Sequence, residues 1–357
     1  MVDKKNSIPT SIAIICDANK KKGFGHYSRC KAVAQPLHAT YGWNVIFVMR
    51  NSSVVEGDLK RYPYNLHNKK KEKDYLVDHV WYQKVIKDEK VSVVLLDITT
   101  NLPFSFFKNL RKKNIKIASI DDPTTNRLHC DLVFYPPSPQ VSRMEWPEFR
   151  GIIKHGWQWV PLKKQFILQR KARGTKGLSG SERKLKLLVS MGGSDPHGLI
   201  FLVLNAIAIL DLDIDVLILL GPAFMHKNKL TAYMKKTKKK YKIFSNKFEV
   251  DDIFSSADFA IASFGVTAYE LTSIGVPSIY ISISEQHNEV AELFHKEKLA
   301  VNLGIFNNLT KEKICRELLF FGKSKENRDL FSKKCLAMLD CYGSQRIAKE
   351  ISELVEC

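Results

Sequence analysis

The chain has 357 residues, of which 45% are hydrophobic and 26% are charged. This length exceeds that of one small domain and fits two domains of ordinary size, and the composition is that of a soluble globular protein. No stretch approaches the roughly 20 apolar residues that a membrane-spanning helix needs. The seven cysteines show no C-x-x-C spacing, which favours free thiols in a reducing compartment over disulfides or zinc. We therefore expect a cytoplasmic protein without a metal site.

The formal net charge of +19 is large and allows three kinds of partner: nucleic acid, an anionic membrane surface or a phosphorylated substrate. The sequence has no aromatic-rich RNA-binding signature and no recognition-helix pattern. We therefore expect an anionic small molecule first and a weak peripheral association with membrane surfaces second, and we do not expect nucleic acid. We expect the protein to be a monomer.

The N-terminal stretch predicts a strand, a glycine turn and a helix. Residues 12–16 are apolar and mostly β-branched, as in a buried strand. Gly23 and Gly25 allow a tight turn and a close approach of the backbone to a ligand, and a helical pattern follows to about residue 41. In this arrangement helix N–H groups face an anion or a reacting oxygen. His26 then lies at the edge of the crevice with a side chain that can take a proton near neutral pH.

The stretch from 43 to 135 alternates short apolar runs with amphipathic ones, which indicates a parallel sheet covered on both faces. The predicted strands are 43–49, 91–96, 115–120 and 131–135, and the predicted helices are 74–87 and 104–113.

Acidic residues end three of the predicted strands, namely Asp17, Asp97 and the pair Asp121 and Asp122. Ligands of doubly wound sheets bind outside the carboxyl ends of the strands, so these carboxylates would line the same crevice as His26. Strand-ending aspartates also serve as turn or cap residues, and for Asp97 the two interpretations are equally favoured.

Residues 136–184 are rich in proline, lysine and glycine, which indicates a loop and an interdomain linker. A second α/β pattern follows, with a helical segment from 310 onward. Two successive halves of this kind predict two Rossmann-like doubly wound domains facing a cleft. The strands of the second half are predicted at 185–190, 214–220, 241–245, 258–262 and 278–283. Helices are predicted at 229–239 and 250–256, and three more are predicted to end near 210, to follow the turn at 263–265 and to open at 285.

Three groups of the second half are candidate ligand contacts, because each follows a predicted strand. A glycine turn follows the first strand, a turn and helix start follow the fourth, and amide side chains open the helix after the fifth. Glu270, one turn into its helix, could accept hydrogen bonds from ribose hydroxyls. Each group alone is equally compatible with a turn or a cap. The groups are Gly192, Gly193 and Ser194; Ser263, Gly265, Val266, Thr267 and Glu270; and Gln286 and Asn288.

Two common nucleotide motifs are absent from the sequence. No G-x-x-x-x-G-K-[ST] occurs, which argues against a P-loop kinase or NTPase. The sequence G-F-G-H at 23–26 is not the G-x-G-x-x-G fingerprint with an acid about 20 residues on, so a nicotinamide cofactor is not supported. We expect no cofactor.

In their order, several motifs resemble the UDP-2,4-diacetamido-2,4,6-trideoxy-β-L-altropyranose hydrolases of pseudaminic acid biosynthesis and their spore-coat polysaccharide relatives. That family is similar in turn to the GT-B glycosyltransferases that make the peptidoglycan lipid intermediate. The motifs are D-A-N-x₃-G-F-G-H-x₂-R-C at 17–30, I-D-D-P at 120–123, H-G-W-Q-W-V-P-L-K-K-Q-F at 155–166, S-M-G-G-S-D-P at 190–196, G-V-T-A-Y-E at 265–270, G-V-P-S at 275–278 and Y-G-S-x-R at 342–346.

The resemblance implies a GT-B-like fold and a hydrolase that releases UDP from a nucleotide sugar without a metal. It implies that His26 positions or deprotonates the attacking water and that Asp17 is the acid of the same motif. Arg29 and Asp121 lie in matching motifs with Gly23 and Gly25, and we count these four as substrate contacts. The nucleotide would be held by the C-terminal candidates given above. Departures at Glu285–Asn288, His197 and Lys163–Lys164 leave the sugar open.

The expected organisation is an N-terminal domain at 1–160, a linker at 161–184, a nucleotide-sugar-binding domain at 185–340 and a C-terminal helix at 341–357. The alternative to hydrolysis is transfer of the sugar to an acceptor, which could be membrane-associated given the charge. A third reading is a non-catalytic protein that binds nucleotide sugars and is indifferent to substitution of His26.

Overall fold

The computed structural model describes residues 10–18, 23–50, 52–69, 75–176, 183–237, 239–245 and 249–356. The lysine-rich loop at 19–22 lies outside the described residues. The chain forms two compact units. The first comprises Met1–Pro136, Met144–Lys163 and Tyr342–Cys357, and the second comprises Pro137–Arg143 and Lys164–Cys341.

The first unit contains a parallel sheet of seven strands in the order β3-β2-β1-β4-β5-β6-β7. Apolar β-branched runs build its middle strands because both of their faces are covered. The order reverses between β1 and β4, which is where a doubly wound sheet binds its ligand. The elements are β1 (Ser11–Cys16), α1 (Gly25–Ala39), β2 (Asn44–Arg50), α2 (Ser53–Leu59), β3 (Asn65–Lys69), α3 (Tyr75–Asp88), β4 (Val93–Asp97), α4 (Phe104–Arg111), β5 (Lys116–Ile120), β6 (Leu132–Tyr135) and β7 (Ile152–His155).

The second unit repeats this topology with six parallel strands in the order β10-β9-β8-β11-β12-β13. Its order reverses between β8 and β11. The elements are α5 (Gln165–Lys176), β8 (Leu185–Ser190), α6 (Leu199–Ile209), β9 (Ile214–Leu220), α7 (Lys227–Lys236), β10 (Tyr241–Ser245), α8 (Asp251–Ser256), β11 (Phe259–Ser263), α9 (Val266–Ser273), β12 (Ser278–Ser282), α10 (Glu285–Lys296), β13 (Ala300–Ile305), α11 (Lys311–Lys323) and α12 (Lys325–Met338).

The last helix, α13 (Gly343–Glu356), belongs to the first unit and packs against α1. A Cβ on Gly343 would lie 2.0 Å from the carbonyl oxygen of Val160, so only glycine fits at the start of this helix. The hydroxyl of Ser344 donates to the carbonyl oxygen of Leu162 at 2.8 Å. The Y-G-S-x-R motif therefore fastens the C-terminal helix to the first unit.

The observed elements correct one prediction from the sequence and add four elements that the sequence did not predict. Residues 165–176, predicted as loop and linker, form helix α5, whose Arg170 and Arg173 donate to backbone carbonyls of the second unit. Strands β3, β7 and β13 and helix α2 were not predicted. Strands β3 and β7 form the two edges of their sheet and are only partly buried or exposed, so they lack the apolar runs that mark the inner strands.

Candidate active site

The carboxyl edge of the first sheet brings together the acids that end β1, β4 and β5. Strands β1 and β4 are parallel neighbours in a register that sets Cys16 beside Asp97, so Asp17 follows at the same edge. Helix α1 begins over this edge at Gly25, after Gly23 at a positive φ of 78°. His26 therefore lies in the first turn of α1 at the switch point of the sheet.

His26 and Asp97 form a hydrogen-bonded pair. The distance from Nδ1 of His26 to Oδ1 of Asp97 is 2.6 Å, and the side chains are 19% and 1% exposed. A carboxylate can only accept, so Nδ1 carries the proton and donates it. In the neutral imidazole the other nitrogen, Nε2, then keeps its lone pair. The pair therefore holds His26 in the tautomer that can act as a base.

Arg29 joins Asp97 to Asp121. Its Nε and one terminal nitrogen donate to the two carboxylate oxygens of Asp97 at 2.6 and 2.5 Å, and its other terminal nitrogen donates to Asp121 at 2.6 Å. A terminal nitrogen also lies 3.0 Å from Nδ1 of His26. Both of these nitrogens carry protons when Nδ1 donates to Asp97, so that contact is a close approach and not a hydrogen bond.

Asp97 is ionised in spite of its burial. Burial works to raise its pKa, but the charges of Arg29 and His26 and their hydrogen bonds outweigh it and hold the pKa well below the usual range. Burial likewise works to lower the pKa of Arg29, and the carboxylates of Asp97 and Asp121 raise it well above its ordinary value. The edge therefore holds a buried carboxylate and a buried guanidinium, both charged at neutral pH.

Two buried thiols complete the surroundings of Asp97. Sγ of Cys30 donates to Oδ2 of Asp97 at 3.3 Å. Burial raises the pKa of both Cys30 and Cys16, so these groups are neutral thiols and poor nucleophiles. The described cysteines 16, 30, 130, 315, 335 and 341 are all free and buried.

Asp17 and Asp121, the other predicted acids, differ in surroundings. The backbone N–H of Asp17 donates to the carbonyl oxygen of Asp97 at 3.3 Å, and its buried carboxylate lies 4.0 Å from Arg50. Asp121 has a left-handed backbone with φ of 52° and a side chain that is 41% exposed. The acid that contacts His26 is Asp97, which the sequence places at a strand end, whereas the motif resemblance implies Asp17 as the catalytic acid. The roles of Asp17 and Asp121 stay predictions.

The carboxyl edge of the second sheet brings the glycine turn after β8 close to the end of β11. A Cβ on Gly192, which has φ of 74°, would lie 3.0 Å from Oγ of Ser263. The turn is also hydrogen-bonded to the segment after β9. The N–H of Ala223 donates to the carbonyl oxygen of Gly193 at 3.0 Å, and the N–H of Met225 donates to the carbonyl oxygen of Ser194 at 3.2 Å. The two predicted groups therefore meet at the switch point of this sheet.

Helix α9 starts at this point without a side-chain cap. Gly265 occupies the cap position, and the first turn begins with Val266 and Thr267. Because the first N–H groups of a helix have no acceptor within the helix, this start is suited to an anion. Glu270 follows one turn later and is buried.

Helix α10 starts beside α9 after the next strand, β12. Ser284 caps it by accepting from the N–H of His287. The carbonyl oxygen of Gln286 accepts from Nε2 of Gln140 at 3.1 Å, and Oδ1 of Asn288 accepts from Nδ2 of Asn302 at 3.0 Å. The amide oxygen of Asn288 therefore already has a donor within the protein.

The described ranges also bear on metal binding and on membrane spans. Within them, no group of three or more His, Cys, Asp and Glu side chains is arranged to hold a metal ion. Also within them, no helix is both long and apolar enough to cross a membrane.

Comparison with curated proteins finds two relatives. The spore coat polysaccharide biosynthesis protein SpsG of Bacillus subtilis is 24% identical over 361 residues, which span 97% of this chain and 98% of SpsG. The uncharacterized protein MJ1062 of Methanocaldococcus jannaschii is 25% identical over 294 residues, which span 80% of this chain. The matched part is 58% of MJ1062, so this chain corresponds to little more than half of that protein. No protein-family model matches the chain.

Solved structures match along nearly the whole chain. MurG of Acinetobacter baumannii has a TM-score of 0.66 at 14% identity, with 97% of this chain and 100% of MurG covered. Anabaena HepE in complex with UDP and glucose has a TM-score of 0.60 at 10% identity, with 96% of this chain and 99% of HepE covered.

These matches establish the class of the protein as one with the GT-B fold, made of two Rossmann-like parallel sheets. Within that class the full-length similarity to SpsG supports the family that the motifs indicated. The resemblance stated from the sequence is thus confirmed at the level of an SpsG-like protein with a GT-B fold.

Proposed function

We propose that the protein is a nucleotide-sugar hydrolase that breaks the anomeric C–O bond of a UDP-linked diacetamido-trideoxy sugar, in the synthesis of a surface glycan. The observation that carries the proposal is the hydrogen bond between Nδ1 of His26 and the buried carboxylate of Asp97. It leaves Nε2 of His26 as a base at the switch point of a GT-B fold. The relatedness to SpsG, a polysaccharide biosynthesis protein, supports the pathway class.

In the proposed reaction a water molecule gives a proton to Nε2 of His26 as its oxygen attacks the anomeric carbon. The new C–O bond forms while the bond from the anomeric carbon to the β-phosphate oxygen breaks, and the electron pair leaves with UDP. His26 becomes an imidazolium, and the negative charge of Asp97 stabilises it through the Nδ1 hydrogen bond. Asp97 acts on the water through His26 and is a positioning residue.

The proposed nucleotide contacts lie in the second unit. The first-turn N–H groups of Val266 and Thr267 would bind the diphosphate, and the carboxylate of Glu270 would accept from ribose hydroxyls. The turn of Gly192, Gly193 and Ser194 would add further donors. HepE, which has this fold, binds UDP in its solved complex, and this supports the assignment of a uridine nucleotide.

Sugar transfer is the second candidate function. The same base could take a proton from the hydroxyl of an acceptor instead of from water, and the net charge of +19 would favour an acceptor at an anionic membrane surface. The two reactions differ in their need for an acceptor. Transfer predicts that UDP release depends on the acceptor and that the protein binds anionic liposomes less tightly as salt increases.

The first experiment mixes purified protein with the UDP-linked sugar, without acceptor, in water enriched in ¹⁸O. NMR follows UDP and free sugar, and mass spectrometry follows the label. We expect equal amounts of UDP and sugar and no ¹⁸O in UDP, because the anomeric C–O bond is the one that breaks. Label in UDP would show P–O cleavage, and saturable UDP binding without turnover would contradict hydrolysis of this sugar.

Two variants and a matched control test the base. His26→Ala is expected to remove turnover, and Asp97→Asn to lower kcat by about 10⁴-fold, as loss of the tautomer-fixing acid does in Ser-His-Asp enzymes. The control is His67→Ala, because His67 also pairs with a carboxylate of the first unit, that of Glu89 at 2.7 Å, but on the edge strand β3. Equal losses in His26→Ala and His67→Ala would contradict the assignment.

A further inference from the structure

The sequence predicts Arg29 to be a substrate contact, yet the surroundings of its side chain fit another role. Its side chain is only 9% exposed, and each of its three nitrogens donates to a carboxylate. Two of these hydrogen bonds go to Asp97 and form the planar fork that matches a carboxylate in both oxygens. Little of the guanidinium is left to meet a substrate.

We propose that Arg29 is a positioning residue, which holds Asp97 charged and oriented so that Asp97 in turn fixes the base-competent tautomer of His26, with Asp121 as the counter-charge of the guanidinium. The catalytic meaning of this inference rests on the proposed function. The arrangement itself can be tested without any substrate.

The physical reason is the cost of an isolated buried charge. Asp97 is 1% exposed, and a carboxylate at such a site would take up a proton if its cation were removed. A protonated Asp97 can donate as well as accept, so it would no longer require the proton of His26 to be on Nδ1. The imidazole could then turn or exchange tautomers. A lysine at position 29 would keep the charge but lose the fork that sets the direction of the carboxylate.

Asp121 balances this arrangement from the partly exposed side. Arg29 lies between two carboxylates, so the group of His26, Arg29, Asp97 and Asp121 carries one net negative charge when His26 is neutral. Until Asp97 takes up a proton, loss of Arg29 would change the net charge of this group from −1 to −2, whereas loss of Asp121 would change it to zero and leave Asp97 charged. The two losses therefore act on the electrostatics of the pair in opposite directions.

The ionisable groups around the pair come from three strands and one helix. From β1 and its end come Cys16 and Asp17, from α1 come Arg29 and Cys30, and from the end of β5 come Asp121 and Asp122, all around Asp97 of β4. Arg29 is the cation among them that contacts Asp97. A change in the pH dependence of Asp97 ionisation on replacing Arg29 must therefore be compared with the change on replacing each of these acids and thiols.

The first test uses NMR on the protein without substrate. Nitrogen-15 shifts of His26 report its tautomer, and the carboxyl carbon shift of Asp97 reports its ionisation. In wild type we expect one tautomer, with the proton on Nδ1, and an Asp97 signal that does not titrate above pH about 4. In Arg29→Ala we expect Asp97 to titrate above that pH and His26 to show both tautomers, and guanidinium added to the sample should reverse both changes.

The second test uses kinetics. Arg29→Lys and Arg29→Ala are expected to lower kcat by about a hundredfold or more while KM stays within about twofold, because positioning is lost and not binding. Asp121→Asn, which leaves the fork on Asp97 intact, is expected to keep the His26 tautomer. Arg29→Lys serves as the second variant should Arg29→Ala not fold.

Two results would overturn the inference. One is an Asp97 that stays ionised and a His26 tautomer that stays fixed in folded Arg29→Ala. The other is a raised KM with unchanged kcat, which would make Arg29 a substrate contact. If the wild-type protein proves not to hydrolyse the UDP-sugar, the proposed function fails, whereas the NMR result still decides the role of Arg29.

Discussion

Asp122 gives a prediction on stability that does not depend on the reaction. Its side chain is 1% exposed, and its Oδ1 accepts from the N–H and the hydroxyl of Thr124 at 2.8 and 2.7 Å. Its Oδ2 is buried without a hydrogen-bond partner in the described part of the chain. Burial raises the pKa of this carboxyl from 3.8 to about 6, although the bonds from Thr124 lower it in part. At neutral pH the protein therefore carries a poorly solvated charge at this position.

The sign and size of the effect follow from the shift. The folded protein binds the proton of the Asp122 carboxyl more tightly than the unfolded chain does. Its favourable contribution to the free energy of unfolding is therefore present below pH 3.8 and is lost as the pH rises through about 6. A difference of about two pKa units corresponds to roughly 3 kcal/mol. Asp122→Asn keeps the acceptor for Thr124 and removes the charge. We therefore expect it to raise the free energy of unfolding by roughly 3 kcal/mol at pH 8 and by under about 1 kcal/mol at pH 4.

The assay can follow the first unit alone. All five tryptophans, at 43, 81, 146, 157 and 159, lie in that unit, so denaturant unfolding followed by tryptophan fluorescence reports on it. The matched control is Glu145→Gln, which removes an exposed carboxylate from the same unit. It should change the free energy of unfolding little at either pH. A stability difference for Asp122→Asn that is the same at pH 4 and pH 8, or a loss of stability at pH 8, would refute the reasoning.

Further predictions concern the second unit. Gly221→Ala should destabilise it and weaken UDP binding in calorimetry, because the new Cβ would lie 2.3 Å from the carbonyl oxygen of Gly193; an unchanged midpoint of unfolding would contradict this. Gly265→Ala meets nothing within 4 Å, so it should fold normally and weaken only UDP binding, and normal affinity would remove the diphosphate from the start of α9. Arg173→Met should lower the free energy of unfolding by about 2 kcal/mol or more, because the partly buried guanidinium of Arg173 donates to the carbonyl oxygens of Ser255 and Ala257 at 2.8 and 2.7 Å. Its control on the same helix is Leu168→Ala, which truncates an exposed side chain, and equal effects of the two would count against the hydrogen bonds.

Much of the fold could be predicted because the inner strands are continuous apolar runs. Strands β1, β4, β5, β8 and β11 were all predicted within two residues of their observed bounds, and their order along the chain implied two doubly wound sheets. Of the four edge strands, β10 was predicted and β3, β7 and β13 were missed, and for β3 the physical reason is clear. A strand such as β3, N-L-H-N-K, has a solvated side and is held by its one neighbour, β2, so its sequence lacks the signal of burial.

The site was predicted less completely, because hydrogen bonds depend on register and helix rotation. The sequence shows that Asp17, Asp97 and Asp121 all end strands, but it does not show which of them meets His26. That choice depends on the pairing of Cys16 with Asp97 and on the start of α1 at Gly25. The spacing of His26 and Arg29, three residues apart on one helix face, is a signal that could have indicated a shared partner.

The pair of His26 and Asp97 does not by itself separate hydrolysis from transfer. In both reactions an O–H group gives its proton to Nε2 of His26 while its oxygen attacks the anomeric carbon, so the base, its tautomer and its buried carboxylate serve equally. Loss of activity in His26→Ala or Asp97→Asn therefore identifies the base and leaves the nucleophile open. The nucleophile is identified by the dependence on acceptor, because water is present in every assay and an acceptor can be withheld. Turnover without acceptor at a rate that added acceptors do not increase would make water the nucleophile, and a rate that rises in proportion to acceptor would make the protein a glycosyltransferase.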